Sequence, residues 1–447
     1  MSNNRKKLIK NKSTATSQLM LFSFLILIFL GALVLMLPIA SADGTSTPFS
    51  DTLFTAVSAT CVTGLVSVDT ATHWSMFGQA VILLLIQIGG MGVVTVCMFA
   101  VIVSGKKIGL RQRSAMQESI SAPQVGGIVK MLGFIIRGSL IIELAGALLL
   151  MPVFIRDFGA RGIWYAFFHS ISAFCNAGFD LMGVRSPFSS LTSYADNAYV
   201  GTVVMLLIII GGISFMTWSD IRTNGLRLKK YSLQSKVILV TSAVLIFIPA
   251  ALFFIFEYKG EPFGPRLLHS LFQSVTTRTA GFNTTDLSAM SDPGKAVMTV
   301  LMLIGGSPGS TAGGMKTTTV AVLFFAALSV FKRRDDAEAF GRRIPESAVR
   351  TAGAILFMYI SLSLAGGAVV SLIENIPIIT CIFETSSAVG TVGLTLGITP
   401  SLSLASKIII MLLMYLGRVG GLTLIYAALP SQLDTDSKLP RERITVG

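Results

Sequence analysis

Four short stretches decide how this chain is read: Thr60-Cys61-Val62-Thr63-Gly64-Leu65, Phe174-Cys175-Asn176-Ala177-Gly178-Phe179, Thr277-Arg278-Thr279-Ala280-Gly281-Phe282 and Gly390-Thr391-Val392-Gly393-Leu394. Each ends or follows an apolar piece too short to cross a bilayer, at 52 to 61, 163 to 175, 267 to 277 and 376 to 389. Pieces of about 10 to 14 apolar residues suggest re-entrant or core helices. Counting back from the glycine, three stretches have Phe at ten residues (Phe54, Phe168, Phe383) and Ser at six (Ser58, Ser172, Ser387). The third has Leu271 and Val275 there. The glycines lie 114, 103 and 112 residues apart, and a glycine pair follows each one, at 89 and 90, 211 and 212, 305 and 306, 420 and 421. A tight turn explains any one of these glycines. Four matches in one order point to an internal repeat.

Around these stretches lie spans of membrane length. Residues 19 to 40, 77 to 104, 199 to 218, 237 to 256 and 351 to 373 carry no charge, and 131 to 155 is interrupted only by Arg137 and Glu143. Two more are broken: 296 to 331 by a Gly/Ser-rich loop, and 408 to 429 by Arg418. Eight spans put both termini on one side. The chain then reads span, half-span, span, four times over: repeats at 19–104, 105–218, 219–331 and 332–430, between tails 1–18 and 431–447. Composition agrees, with 52% apolar and only 13% charged residues, against about 25% charged in soluble domains. Hydrolase, kinase and DNA-binding readings therefore start weakly.

The net charge of +13 is a topology signal rather than a nucleic-acid footprint, because 24 of the 35 Lys and Arg fall on the two tails and the linkers 104 to 130, 219 to 236 and 331 to 350. The positive-inside rule makes those segments and both termini cytoplasmic, and no nucleic-acid partner is expected. The N-terminus imitates a signal peptide ending at Ala40-Ser41-Ala42, but its apolar stretch from Leu19 to Ala40 has 22 residues, whereas a signal core has about 7 to 15. A retained first span is expected. Cys61, Cys97, Cys175 and Cys381 lack paired spacing, and His73, His169 and His269 are scattered, so neither a disulfide framework nor a resident metal site is supported.

Irregular backbone at membrane depth is tolerated only where it is buried in protein or lines a water-filled path. Four such segments converging would present a ring of carbonyls that replaces the water shell of a dehydrated cation, and glycine reaches the backbone angles that aim them inward. The expected ion-binding residues are Val62, Thr63 and Gly64; Asn176, Ala177 and Gly178; Thr279, Ala280 and Gly281; and Thr391, Val392 and Gly393. Asp69, Asp180 and Asp286 follow the first three glycines and would either concentrate cations at an outer mouth or be ordinary loop carboxylates.

These segments, the interrupted seventh span and Leu416-Gly417-Arg418-Val419-Gly420-Gly421 resemble the Trk/Ktr/HKT superfamily of potassium transporters, and most closely a bacterial Ktr-type, ion-translocating membrane subunit. The resemblance covers nearly the whole chain. It implies an all-α polytopic membrane protein, eight transmembrane helices in four fused helix, pore-helix, helix repeats around one pseudo-fourfold pore. It also implies potassium as the transported ion, with glycine at all four filter positions favouring it over sodium, and a homodimer in the bacterial cytoplasmic membrane docked on a cytosolic nucleotide-binding regulatory ring. Arg278 and the missing Phe and Ser of the third repeat depart from fourfold repetition at side-chain level.

The loop that breaks the seventh span nearly spells a phosphate cradle, since Gly309 and Gly314 have the right spacing, but Met315 precedes Lys316. The register is wrong by one residue and membrane spans flank it, so this chain is expected to bind no nucleotide. The resemblance instead makes Gly305, Gly306, Gly309, Ser310, Thr311, Gly313 and Gly314 an intramembrane gate, with Arg418 beside it as a positive charge that repels potassium until displaced. The alternative for Arg418 is an ion-paired or carbonyl-bound arginine, and Lys316 is read as either part of the gate or a side chain snorkelling to the cytoplasmic face. For Glu143 a buried carboxyl hydrogen-bonded to a neighbouring span is preferred over a transport role. His169 and His269 are expected on pore helices as packed or hydrogen-bonded residues.

The expected function is inward potassium transport by a non-enzyme, driven by the membrane potential, with sodium as a coupled ion left open. The rivals are a sodium-selective relative, an inverted-repeat transporter rocking around a midplane site, which would need repeats of opposite orientation, and a structural membrane protein, which would need no unwound segments.

Overall fold

The computed structural model describes residues 21–93 and 127–420, together with positions 18, 95, 96, 117 and 442. The basic N-terminal tail, nearly all of the 104 to 130 linker, the C-terminal tail, Cys97 and the ends of the 77 to 104 and 408 to 429 spans lie outside the described residues.

The fold is helical. α1 (Leu21–Leu35) leads to the short α2 (Phe49–Cys61) and then to α3 (Met76–Met91). α4 (Ile128–Phe158), α5 (Arg161–Phe174) and α6 (Ala198–Gly212) repeat the pattern, followed by α7 (Phe215–Asn224). α8 (Leu233–Leu252), α9 (Phe263–Thr276), α10 (Asp292–Leu303) and α11 (Thr317–Phe331) form the third unit. After a two-stranded hairpin, β1 (Glu338–Ala339) with β2 (Arg342–Arg343), come α12 (Glu346–Glu374), α13 (Ile378–Gly390) and α14 (Leu404–Val419).

Among the described residues, Ile128–Phe158, Leu233–Glu257 and Glu346–Glu374 are single helices long and apolar enough to cross a membrane, and α6 with α7 makes a fourth such span bent by 95°. That bend corrects the expectation of an unbroken span over 199 to 218. Ser214 starts a new helix by accepting the Met216 N–H on its side-chain oxygen, a cap worth about 1 kcal/mol, so the apolar run does not continue straight. The outer faces of the long helices are apolar, with Ile141, Phe247 and Phe357 between 65% and 75% exposed.

The short helices invert this distribution. Ser170, Ser274 and Thr385 are buried and donate to carbonyls on the preceding long helix of their own unit, those of Glu143, Ile246 and Ser363. A buried hydroxyl is tolerable only with such a partner, and these bonds fix each short helix to its neighbour. The helix after each loop starts at a capping side chain: Ser75, Asn197, Ser291 and Ser403 accept the N–H of Gly78, Val200, Gly294 and Ser406.

Packing between units runs in one direction. α3 packs on α5, α6 on α9, α10 on α13, and α14 on α2. The circuit therefore closes on itself, and a largely buried pair, Lys407 to Asp51 at 3.0 Å, joins the last unit to the first.

Candidate functional site: the four glycine segments and the loop beneath them

Each short helix ends in the same backbone figure. Val62, Asn176, Thr279 and Thr391 have φ of 58°, 59°, 68° and 52°, and two residues later Gly64, Gly178, Gly281 and Gly393 have φ of 93°, 69°, 80° and 93°. The residue between them is not left-handed in any segment. The serine six residues before the glycine holds the turn in two units, where Ser58 and Ser387 accept the N–H of Gly64 and Gly393. Ser172 instead donates to the Phe179 carbonyl at 2.7 Å. In the third unit, where Val275 replaces serine, Thr276 makes the equivalent bond to Phe282. The departure in the pattern is thus filled one position later.

The glycines meet one another. A Cβ on Gly64 would strike the Ala177 carbonyl and lie 3.1 Å from the Gly178 Cα. One on Gly178 would lie 2.8 Å from the Ala280 carbonyl oxygen and 2.9 Å from the Gly281 Cα. On Gly281 it would strike the Val392 carbonyl, 3.3 Å from the Gly393 Cα, and on Gly393 the Thr63 carbonyl, 3.0 Å from the Gly64 Cα. Eight of the expected residues, the four glycines and Thr63, Ala177, Ala280 and Val392 before them, therefore meet around one closed circuit that admits no side chain at its corners, with Val62, Asn176, Thr279 and Thr391 one residue further back in each segment. The hydroxyls of Thr60, Thr63 and Thr391, in the same segments, are buried without a hydrogen-bond partner among the described residues.

Above the circuit opens a vestibule of about 370 Å³ whose lining includes the four glycines, Asp69, Asp180 and Asp286. The three carboxylates differ. Asp69 is a structural cap, accepting from the Ala71 and Thr72 N–H and, across units, from Phe188. Asp286 is exposed, and the Ser288 hydroxyl and N–H hold it below the usual carboxylate range. Asp180 is half-buried, and burial with the nearby Asp69 charge pushes it up to about 7 against the opposing Met182 N–H bond.

Below the circuit, the chain between Leu303 and Thr317 is unwound. It contains the expected gate residues Gly305 to Gly314, with Gly309 and Gly314 at φ 65°. The loop is stitched to the bend after α6: Ser307 N–H donates to Gly212, Thr311 N–H to Gly211, and Phe215 N–H to Gly309. The Thr311 hydroxyl lies within reach of the Phe174 and Gly211 carbonyls, and Gly313 faces the Thr391 side chain. Arg418 donates to the carbonyls of Thr311, Gly89 and Gly90, the last two at the C-terminus of α3, where carbonyls lack helical partners. It is carbonyl-bound. Lys316 does not snorkel: its ammonium folds back onto the Ala312 and Gly313 carbonyls at 2.8 and 3.2 Å, because the unwound loop leaves those acceptors open.

The glycine pairs behave unequally. Gly89 and Gly211 press against the carbonyls of Thr60 and Phe174, in the last unit Gly417 takes that place against Val389, and Gly305 and Gly306 sit in the loop; Gly421 lies outside the described residues. Glu143 accepts from Gln87 Nε2 at 2.9 and 3.0 Å, as expected of a buried carboxyl bonded to a neighbouring helix. His169 lies on α5 bonded to Tyr165 and Leu181, and His269 on α9 against Glu261.

The family model described as TrkH, cation transport protein, matches residues 1–434. The chain is 42% identical to the potassium/sodium uptake protein NtpJ of Enterococcus hirae, over 98% of both chains. It is 37% identical to the Ktr system potassium uptake protein B of Bacillus subtilis, over 96% of both. The crystal structure of the potassium transporter TrkH from Vibrio parahaemolyticus matches the fold with a TM-score of 0.71 at 18% identity, covering 92% of this chain and 84% of that one. On a family match that runs along nearly the whole sequence, the chain belongs to the TrkH family of cation transport proteins, which are transporters and not enzymes.

Proposed function

We propose that this chain is the ion-translocating membrane subunit of a potassium uptake system, with the four glycine segments as its selectivity filter in a pseudo-fourfold pore of eight spans. The observation that carries this reading is the closed circuit of Gly64, Gly178, Gly281 and Gly393 with its repeated alternation of left-handed and ordinary backbone. Alternating hand turns successive peptide planes to one side, so each segment offers carbonyl oxygens to one axis, which is what a potassium ion leaving its water shell requires. The hydroxyls of Thr60, Thr63 and Thr391, which have no hydrogen-bond partner among the described residues, are further oxygens in the same segments. The names of the Bacillus and Enterococcus relatives support potassium as cargo, and the latter keeps sodium open as a coupled ion.

Gating belongs to the unwound loop and Arg418. Held by the Thr311 and Gly89 bonds, the loop closes the path below the filter. Its release needs only those bonds to change, because glycine lets the backbone swing without unwinding α10 and α11. A homodimer on a cytosolic nucleotide-binding ring, for which the 104 to 130, 219 to 236 and 331 to 350 segments are available, would bias that step.

The test is potassium and rubidium uptake by cells lacking their own systems, with and without sodium. Saturable potassium uptake is expected, and its dependence on sodium decides whether the two ions are coupled. Uptake of sodium alone, with potassium neither carried nor competing, would overturn the reading.

A further inference from the structure

Behind the fourth segment lies a carboxylate that the transport reading does not use. Glu384, on α13 and nine residues before Gly393, is fully buried. Its Oε1 accepts from the Thr395 hydroxyl at 2.9 Å and from the Thr399 hydroxyl, while Oε2 has no hydrogen-bond partner among the described residues. Among the described residues no cation neutralises it. An acid placed in a protein interior is costly, so its two bonds matter. They hold the turn that leaves the filter: Thr395 stands two residues after Gly393, its hydroxyl accepts the Gly397 N–H at 2.9 Å, and Thr395, Leu396 and Gly397 line the vestibule.

The second unit has the same device in other chemistry. His169 also lies nine residues before its glycine, donates from Nδ1 to the Tyr165 carbonyl at 2.7 Å and accepts the Leu181 N–H on Nε2 at 3.3 Å. Leu181 stands three residues after Gly178. In the first and third units the position holds Thr55, whose hydroxyl has no partner, and Phe272. Anchors thus occur in the second and fourth units, which face each other across the circuit.

We propose that Glu384 is a positioning residue for selectivity: it clamps the Thr395–Thr399 turn so that Gly393 keeps its place among the four glycines, as His169 does for Gly178. The proposal rests on the filter reading. A clamp needs an acceptor at Oε1 and no charge, so an amide replaces it and an alkyl group does not.

The experiment is potassium uptake under sodium competition for Glu384→Leu, Glu384→Gln, Thr399→Val and Gly393→Ser, on protein shown by size-exclusion in detergent to be folded. Glu384→Leu is expected to raise the KM for potassium and lower potassium over sodium discrimination by about tenfold, the equivalent of one net hydrogen bond. Glu384→Gln is expected to restore both. Should Glu384→Leu not fold, Thr399→Val, which leaves the Thr395 bond, carries the same test with a smaller change. Parent discrimination in folded Glu384→Leu or Thr399→Val overturns the clamp, and so does a Glu384→Gln variant as impaired as the leucine one, which would assign the effect to charge. If Gly393→Ser also leaves discrimination unchanged, the filter reading has failed; if Gly393→Ser alone changes it, the clamp has failed and the filter stands.

Discussion

Arg418 and Thr311, 107 residues apart in the chain, are joined by a hydrogen bond from the guanidinium Nη1 to the loop carbonyl, and Nη2 of the same group reaches Gly89 and Gly90. One side chain therefore ties the last helix, the loop of the third unit and the end of α3. In the proposed gating, a charge held by three carbonyls is first a latch on the loop and only second a repulsive barrier to a cation.

Replacing the latch should open the path. Arg418→Ala is expected to raise potassium flux in the absence of a cytosolic partner by about tenfold or more, the weight of one charge-assisted hydrogen bond. Arg418→Lys, a point charge without the planar fork, should fall between. Tracer flux into vesicles holding folded protein measures both. An alanine variant that conducts no more than the parent would make Arg418 a structural residue only.

Close packing of the second helix of a unit on its short helix should show in stability. A Cβ at Gly89 or Gly417 would overlap the Thr60 or Val389 carbonyl, so Gly89→Ala and Gly417→Ala are each expected to cost about 1 to 3 kcal/mol and to lower the melting temperature in detergent. Gly133→Ala and Gly353→Ala meet no neighbouring atom and should be neutral or gain up to about 1 kcal/mol of helix propensity. Equal melting temperatures for the two pairs would contradict the packing.

Under the proposed function, ion capture at the vestibule is expected to depend on pH through Asp180. Burial and the Asp69 charge raise it to about 7, so its carboxylate is present above that pH and neutral below. Attraction of potassium to the mouth should weaken as pH falls through 7, seen as a rising KM between about pH 8 and pH 6. Asp180→Asn should keep the high KM throughout. A parent KM flat over that range would remove Asp180 from ion capture.

Much of this site is legible in the sequence because it rests on glycine. Gly64, Gly178, Gly281 and Gly393 each need both a left-handed backbone and room for a neighbouring carbonyl, and few other residues meet both demands. The left-handed residues two positions earlier leave no such trace. Val62, Thr279 and Thr391 are β-branched and resist that conformation, each at about 1 to 3 kcal/mol, so packing at the ends of the short helices imposes what local preference opposes. The same limit hid the bend at Ser214, written in a single cap, and the role of Gly417, which lies outside the glycine pair. Thr276, standing in for a missing serine, was invisible for the opposite reason: the bond moved by one residue while the pattern was counted at a fixed offset.

The most direct measurement is potassium uptake under sodium competition for Gly64→Ser, Gly178→Ser, Gly281→Ser and Gly393→Ser, one at a time, on protein verified as folded. Because each glycine borders the next in one circuit, every single substitution is expected to reduce potassium over sodium discrimination by about tenfold or more. Parent-like affinity and discrimination in all four folded variants would contradict the assignment of these segments as the filter.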